Sequence, residues 1–194
     1  MTSYYLIRHG QHDKLAGDQP LNAVGREQAK ITARHLAALP IDAVYASPLA
    51  RARETGETIA TGLGLPLAVD DRLRERANFG DKEGQTFEEF VQMWQRCDRD
   101  RDYVPILGLS ARANGERLAS WIHEVRIRYP GGHVVACSHG GTISDFLLNV
   151  FPEPLLERYR PDFRHHFGNC SITTISVDNG GFMLHQLADD QHIA

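Results

Sequence analysis

Two short segments of the sequence pair a histidine with glycine where a strand is expected to end. Arg8-His9-Gly10 follows the apolar stretch 4–7, and His139-Gly140 follows the apolar stretch 133–137. Ligands of open α/β sheets bind beyond the carboxyl ends of the strands, so both histidines are expected in one crevice. Each segment alone could be a solvated loop or a glycine turn with a packed histidine. Their matching placement favours a shared site.

Arg51 adds a further cationic group. It falls in the first turn of a helix that Ser47-Pro48 is expected to begin. An arginine at a helix N-terminus is electrostatically unfavourable, and a bound anion would offset that cost. The alternative, a surface arginine paired with a nearby acid, accounts better for Arg53. Because guanidinium groups bind phosphate bidentately and stay charged, Arg8 and Arg51 are expected to clamp a phosphoryl group.

Phosphoryl transfer needs positioning and positive charge, which arginines or a metal ion can supply. No Asp, Glu or His cluster in the sequence has convincing ligand spacing. His165-His166, the closest pair, are adjacent and would point apart in an extended chain. The sequence therefore predicts neither a metal nor a cofactor.

Short apolar runs alternate with helical periodicity, which predicts an α/β architecture with parallel crossovers. Strands are predicted at 4–7, 42–46, 65–69 and 133–137, and an antiparallel hairpin at 171–177 and 182–187. Helices are predicted at 21–39, 47 to about 62, 86–97, 114–129 and 142–151. The segment from about 80 to 113 is expected to form a flap over the site.

One face of the predicted helix 86–97 carries Phe87, Phe90, Val91 and Trp94. Core packing of this face is favoured over the alternative, a wall that faces the substrate. The charges that alternate in sign over 96–102 are typical of a solvated surface.

The 194 residues are 42% hydrophobic and 24% charged, which is typical of one globular domain over 1–194. A formal net charge of -4 argues against a nucleic-acid partner. No apolar stretch approaches the roughly 20 residues that span a bilayer, so no membrane partner is expected. Three cysteines without a CxxC pair indicate reduced thiols and a cytoplasmic protein.

The ordered motifs resemble the histidine phosphatase superfamily, also called the phosphoglycerate mutase-like family, over nearly the whole chain. They are Arg8-His9-Gly10, the segment 21–29 with Gly25 and Gln28, Arg51, Leu73-Arg74-Glu75, Gly80-Asp81-Lys82-Glu83-Gly84, Gly115-Glu116 and His139-Gly140. The resemblance implies a three-layer α/β/α sandwich with a mostly parallel central sheet.

The resemblance also implies roles for individual residues. His9 would carry the phosphoryl group, with Arg8, Arg51 and His139 around it. Glu75 would protonate the leaving alcohol and later deprotonate water; Glu83 is the fallback acid, and a surface pairing of Glu75 with Arg74 or Arg76 is the alternative. The residues expected to bind substrate are Gly10, Gln11, His12 and Gly140.

The expected activity is hydrolysis of a small phosphorylated metabolite without metal. Its first alternative is phosphoglycerate mutase activity, against which the loop His12-Asp13-Lys14-Leu15 argues, because it departs from the family pattern where family members hold substrate phosphate and carboxylate. Lys82 is another departure from the family pattern, and both departures affect specificity more than chemistry. The short chain argues against mutase activity as well. The second alternative is a silent domain that binds phosphorylated ligands or a partner protein, which would not need Glu75. A homodimer is left open.

Overall fold

The computed structural model describes residues 1–161, 163 and 167–193, so His165-His166 lie outside the described residues. Its six-stranded sheet has the order β3-β2-β4-β1-β5-β6. The strands are β1 (Thr2–Arg8), β2 (Ala43–Ala46), β3 (Leu67–Val69), β4 (His133–Ser138), β5 (Ile172–Asp178) and β6 (Gly181–Asp189). β3, β2, β4 and β1 run parallel, while β5 is antiparallel to β1 and to β6. The mostly parallel sheet and its C-terminal hairpin are confirmed.

Helices cover both faces of the sheet, because successive side chains of a strand point to opposite sides. They are α1 (Ala23–Leu36), α2 (Ala50–Leu63), α3 (Phe87–Arg99), α4 (Ala111–Arg128), α5 (Gly140–Val150) and α6 (Glu153–Tyr159). In β1, Tyr4 and Leu6 pack in one core with α4, α5 and α6. Tyr5 and Ile7 pack in the other with α1 and α2. The predicted three-layer α/β/α sandwich is therefore confirmed.

The predicted helices begin one to three residues from their predicted starts, and two of these shifts concern the residues expected to cap the helix. α4 starts at Ala111 rather than at Asn114, because the Ser110 side chain accepts a hydrogen bond from the Ala113 amide and caps the helix. The residue that precedes α2 is Leu49, which offers no side-chain cap, so Ser47 is not the cap that was expected. α6 was not predicted.

α3 corrects the expectation of core packing. It begins with a capping box between Thr86 and Glu89, yet Cys97 is its one buried side chain. Phe87 is 51% exposed, and Phe90 and Trp94 are half-buried. The apolar face is real, but no layer of the sandwich covers it, so periodicity alone could not identify its partner.

None of the helices in the described part of the chain is long and apolar enough to cross a bilayer. The three cysteines are buried free thiols.

The loop after β1 passes close to α1, and each of the two segments has a glycine at the point of contact. A Cβ atom on Gly25 would lie 2.0 Å from the Gln11 carbonyl oxygen, and one on Gly10 would lie 2.6 Å from the Gly25 carbonyl oxygen. Backbone atoms cannot yield as a flexible side chain can. These glycines therefore set the path of the chain directly after His9.

Gly25→Ala should destabilise the protein, because the added methyl group collides with backbone; overpacking costs about 1–3 kcal/mol. In an unobstructed helix the same change would stabilise by about 1 kcal/mol. Urea unfolding measures the difference. Val24→Ala, at the exposed neighbouring position, is the control. A Gly25→Ala protein as stable as the control would contradict the close approach.

Candidate active site

The parallel pairing of β1 with β4 brings the two histidines together. Arg8 lies opposite Ser138 in the register, so the residues that follow, His9 and His139, leave the sheet side by side. Their ring centroids are 5.2 Å apart. Arg51, in the first turn of α2, donates from Nε to His9 Nε2 at 3.2 Å.

His9 is held as one defined neutral tautomer. Its Nδ1 lies 2.8 Å from the Gly10 carbonyl oxygen, which can only accept, so Nδ1 carries the proton and Nε2 keeps a lone pair. Burial, then the charges of Arg51 and Arg8, lower the pKa of His9 well below its ordinary value. The ring is therefore neutral near pH 7.

His139 is fully buried, and Ser47 governs its orientation. The Ser47 hydroxyl lies 2.8 Å from Nε2 and also accepts from the Leu49 amide, so its own hydrogen can be donated to Nε2. Nδ1 then bears the ring hydrogen and has no partner among the described residues. Burial and the Arg51 charge lower the pKa of His139 well below its ordinary value. The ring can offer one neutral N–H to an anion.

The two clamp arginines are held by neutral acceptors. Arg8 donates to the Phe167 carbonyl, and Arg51 donates to Asn78 Oδ1 at 3.0 Å. Burial lowers the pKa of Arg8 and of Arg51, and Glu75 opposes both shifts. Each guanidinium keeps N–H groups available for an anion.

A carboxylate already occupies the N-terminus of α2. Asp18 Oδ1 accepts from the Ala50 amide at 2.8 Å, immediately before Arg51. A bound anion was expected to offset the cost of Arg51 at this helix end, and no feature of the sequence pointed to Asp18. The expected surface pairing of Arg53 is confirmed, with Glu57 at 2.8 Å.

Glu75 is fixed by two backbone amides and not by a surface ion pair. Oε1 accepts from the Arg76 amide at 2.8 Å and lies 3.1 Å from the Thr142 hydroxyl, while Oε2 accepts from the Gly141 amide at 3.1 Å. The Arg76 side chain, 1% exposed, pairs instead with Asp98 at 2.7 Å and with Asp145 at 3.2 Å. The alternative in which Arg76 pairs with Glu75 is therefore wrong.

There is no space for a Cβ atom at Gly141, whereas there is at Gly140. A Cβ atom on Gly141 would lie 2.5 Å from Trp94 Cζ2 and 2.7 Å from Glu75 Oε1. On Gly140 its nearest neighbour would be Arg8 Cδ at 3.5 Å, an ordinary contact. The doubled glycine in the sequence was the signal for Gly141. No comparable sequence signal identified Ser47, Asn78 or Thr142 as residues of this site.

Two cavities open from the site, with Arg8, His9, Glu75 and Trp94 in the wall of both. The polar cavity, of about 430 Å³, is further lined by Asp98, Arg99, Arg101, Gly140, Gly141, Ser144, Asp145, Leu148 and Phe167. The aromatic cavity, of about 230 Å³, is further lined by His12, Lys14, Leu15, Gly17, Arg51, Ala77, Asn78, Phe79, Phe87 and Phe90.

The remaining predicted residues fall in different places. His12 lines the aromatic cavity and Gly140 the polar one. Gln11 is exposed and lines neither cavity, and its backbone amide donates to Gln28 Oε1. Glu83, the fallback acid, is exposed and lines neither. In the described residues no three His, Cys, Asp or Glu side chains cluster as metal ligands would.

The sequence profile of the histidine phosphatase superfamily (branch 1) matches residues 4–190. This chain belongs to the histidine phosphatase superfamily. It is a phosphatase of that superfamily, with the superfamily fold.

Individual relatives agree with this membership. The putative phosphoserine phosphatase 2 of Hydrogenobacter thermophilus is 39% identical over 92% of this chain and 91% of its own length. The uncharacterized phosphatase PhoE of Bacillus subtilis is 33% identical over 77% of this chain and 78% of its own. A mutant phosphoserine phosphatase of Entamoeba histolytica, solved with phosphoserine, is 27% identical with a TM-score of 0.77 over 100% of both chains.

The depressed pKa of His139 makes stability depend on pH. The unfolded chain protonates this ring below about pH 6.5 while the folded chain leaves it neutral, so stability falls as pH falls. From pH 6.5 to 5.5 one such histidine lowers the free energy of unfolding by about 1 kcal/mol. Between these two pH values the free energy of unfolding of His139→Gln should fall by about 1 kcal/mol less than that of the parent protein, as measured by urea unfolding. His123→Gln, at an exposed ring, is the control. Equal losses in all three proteins would contradict a neutral buried His139.

Proposed function

We propose that this phosphatase hydrolyses a small phosphorylated metabolite, a phosphomonoester, through a phosphohistidine at His9. The observation that carries the proposal is the 2.8 Å contact between His9 Nδ1 and the Gly10 carbonyl, which leaves the Nε2 lone pair as the nucleophile. A neutral imidazole between two guanidinium groups is suited to attack a phosphoryl group that those groups hold.

In the first half of the reaction, Nε2 attacks phosphorus and the bond from phosphorus to the leaving oxygen breaks. Arg51 Nε, which donates to His9 Nε2 in the structure, turns to a phosphoryl oxygen instead. Arg8 and His139 Nδ1–H donate to the other oxygens, which carry the negative charge of the transition state. Glu75 gives its proton to the departing alcohol.

In the second half, Glu75 takes a proton from a water molecule that attacks phosphorus, and the bond from phosphorus to Nε2 breaks. Inorganic phosphate leaves, and Glu75 is protonated for the next cycle. One carboxyl group can serve both halves because the Arg76 and Gly141 amides fix its position beside the clamp. Arg8, Arg51 and His139 supply the positive charge and N–H donors that a metal would otherwise provide, and so we infer that no metal is needed.

Transfer to water is preferred over transfer back to a phosphoglycerate. Two relatives that this chain matches over most of their length are named phosphatases. The Entamoeba enzyme was solved with a phosphomonoester, phosphoserine. A silent binding domain would have no use for Glu75 beside the clamp. A cytoplasmic location and a homodimer stay predictions.

Rapid quenching with ³²P-labelled phosphomonoester should trap label on His9 that is stable in base and labile in acid. His9→Ala should lose both the label and turnover, because no other group replaces Nε2. His123→Ala, the exposed control, should keep both. EDTA should leave turnover unchanged.

Three outcomes would overturn parts of the proposal. Label on His12, His139 or a cysteine would exclude His9 as the carrier. Restoration of a lost activity by Mg²⁺ after EDTA would exclude a metal-independent clamp. Label that passes to added phosphoglycerate rather than to water would establish the mutase alternative.

Glu75→Gln should slow the hydrolysis of alkyl phosphates more than that of aryl phosphates, because a poor leaving group needs the proton most. We expect a difference of about tenfold or more between the two classes, within the range of general acid catalysis. Glu83→Gln is the matched control, since its carboxylate is exposed and lines neither cavity. Equal losses on both substrate classes would remove the acid role from Glu75.

A further inference from the structure

The aromatic cavity is walled by rings that contribute little to the folded core. Phe79 contacts Phe87 with centroids 5.3 Å apart and Phe90 at 5.6 Å, and Phe90 contacts Trp94 at 5.7 Å. Phe87 is half exposed although it lies on the apolar face of α3. Aromatic surface left in water is costly, and a contiguous apolar wall of this kind is typical of a ligand site.

Trp94, the ring that lines both cavities, is held in place by its neighbours. The Arg76 guanidinium stacks 4.0 Å from the Trp94 ring centroid and is itself held by Asp98 and Asp145. Trp94 also lies against Gly141, where any larger residue would collide with it. The ring is therefore a fixed partition between the two cavities, and the other aromatic rings extend from it.

Little charge faces the aromatic cavity outside the phosphate clamp. Of its described lining residues beyond Arg8, His9, Arg51 and Glu75, Lys14 is the one that is charged. Burial and the Arg51 charge lower the pKa of His12, so its ring is neutral near pH 7. The described lining residues therefore include no second arginine fork for a carboxylate or a second phosphate.

We propose that the aromatic cavity binds the leaving group of the substrate and selects phosphomonoesters whose alcohol carries one aromatic ring or a comparable apolar group. The cavity is continuous with the site at His9, and Glu75 in its wall is available to protonate the leaving oxygen. Its volume of about 230 Å³ suits one ring, since a cavity of about 150 Å³ accommodates benzene. This inference rests on the proposed function.

The test compares three alkyl phosphates, so that leaving-group activation does not imitate binding: 2-phenylethyl phosphate, ethyl phosphate and O-phosphoserine. Burial of the ring should raise kcat/KM for 2-phenylethyl phosphate about tenfold or more over ethyl phosphate. O-phosphoserine should show no such gain, because its ammonium and carboxylate groups would be desolvated against apolar rings.

Phe87→Ala and Phe90→Ala should each reduce the preference for 2-phenylethyl over ethyl phosphate several-fold, mainly through KM. Phe87 is half exposed, so its variant keeps the test valid if Phe90→Ala fails to fold. Val91→Ala, on the same helix and outside both cavities, is the matched control and should leave the preference unchanged.

The inference and the proposed function fail in different ways. An enzyme that forms the label on His9 but hydrolyses ethyl phosphate or O-phosphoserine as well as 2-phenylethyl phosphate would overturn the inference alone. If in addition Arg99→Ala raised KM for O-phosphoserine, the polar cavity would be the leaving-group site. Absence of label on His9 with every substrate would instead overturn the proposed function.

Discussion

The site depends on holding buried positive charge beside a histidine that must remain neutral. Arg8 and Arg51 repel each other and are lowered in pKa by burial, and Glu75 is the nearby carboxylate that opposes both shifts. The same cations, with burial, keep the proton off His9 Nε2. One electrostatic arrangement therefore prepares the phosphate clamp and the nucleophile together, and Glu75 contributes to it in its ionised form.

That arrangement needs a carboxylate held in one position. The Arg76 and Gly141 amides hold Glu75 from two directions, the chain after the 3₁₀ turn Asp71–Leu73 and the start of α5. The Arg76 side chain continues the network to Asp98 and Trp94 on α3. The position of the proton donor is thereby connected to the helix that walls the aromatic cavity.

The protein divides its functions between two kinds of structure. The strand ends and helix N-termini carry the groups that would handle phosphate, and their geometry is set by sheet register and by backbone contacts at Gly10 and Gly25. The segment 80–113, which includes α3, lines the cavities where substrates would differ. Phosphoryl chemistry requires one fixed geometry, whereas the leaving group can vary, so on the proposed function we expect specificity to depend on this segment.

The amino-acid sequence predicted the α/β architecture and the hairpin, and it indicated His9, His139, Arg8 and Arg51 as residues of one site, because short-range periodicity and motifs near strand ends are local features. The resemblance of these motifs to the family added Glu75. The structure was needed to establish which ring nitrogen of His9 carries the proton, that Ser47 orients His139, and that Asp18 accepts from the first amide of α2. It also decided that the apolar face of α3 lines a cavity and not the core, because periodicity reports that a face is apolar but not what packs against it.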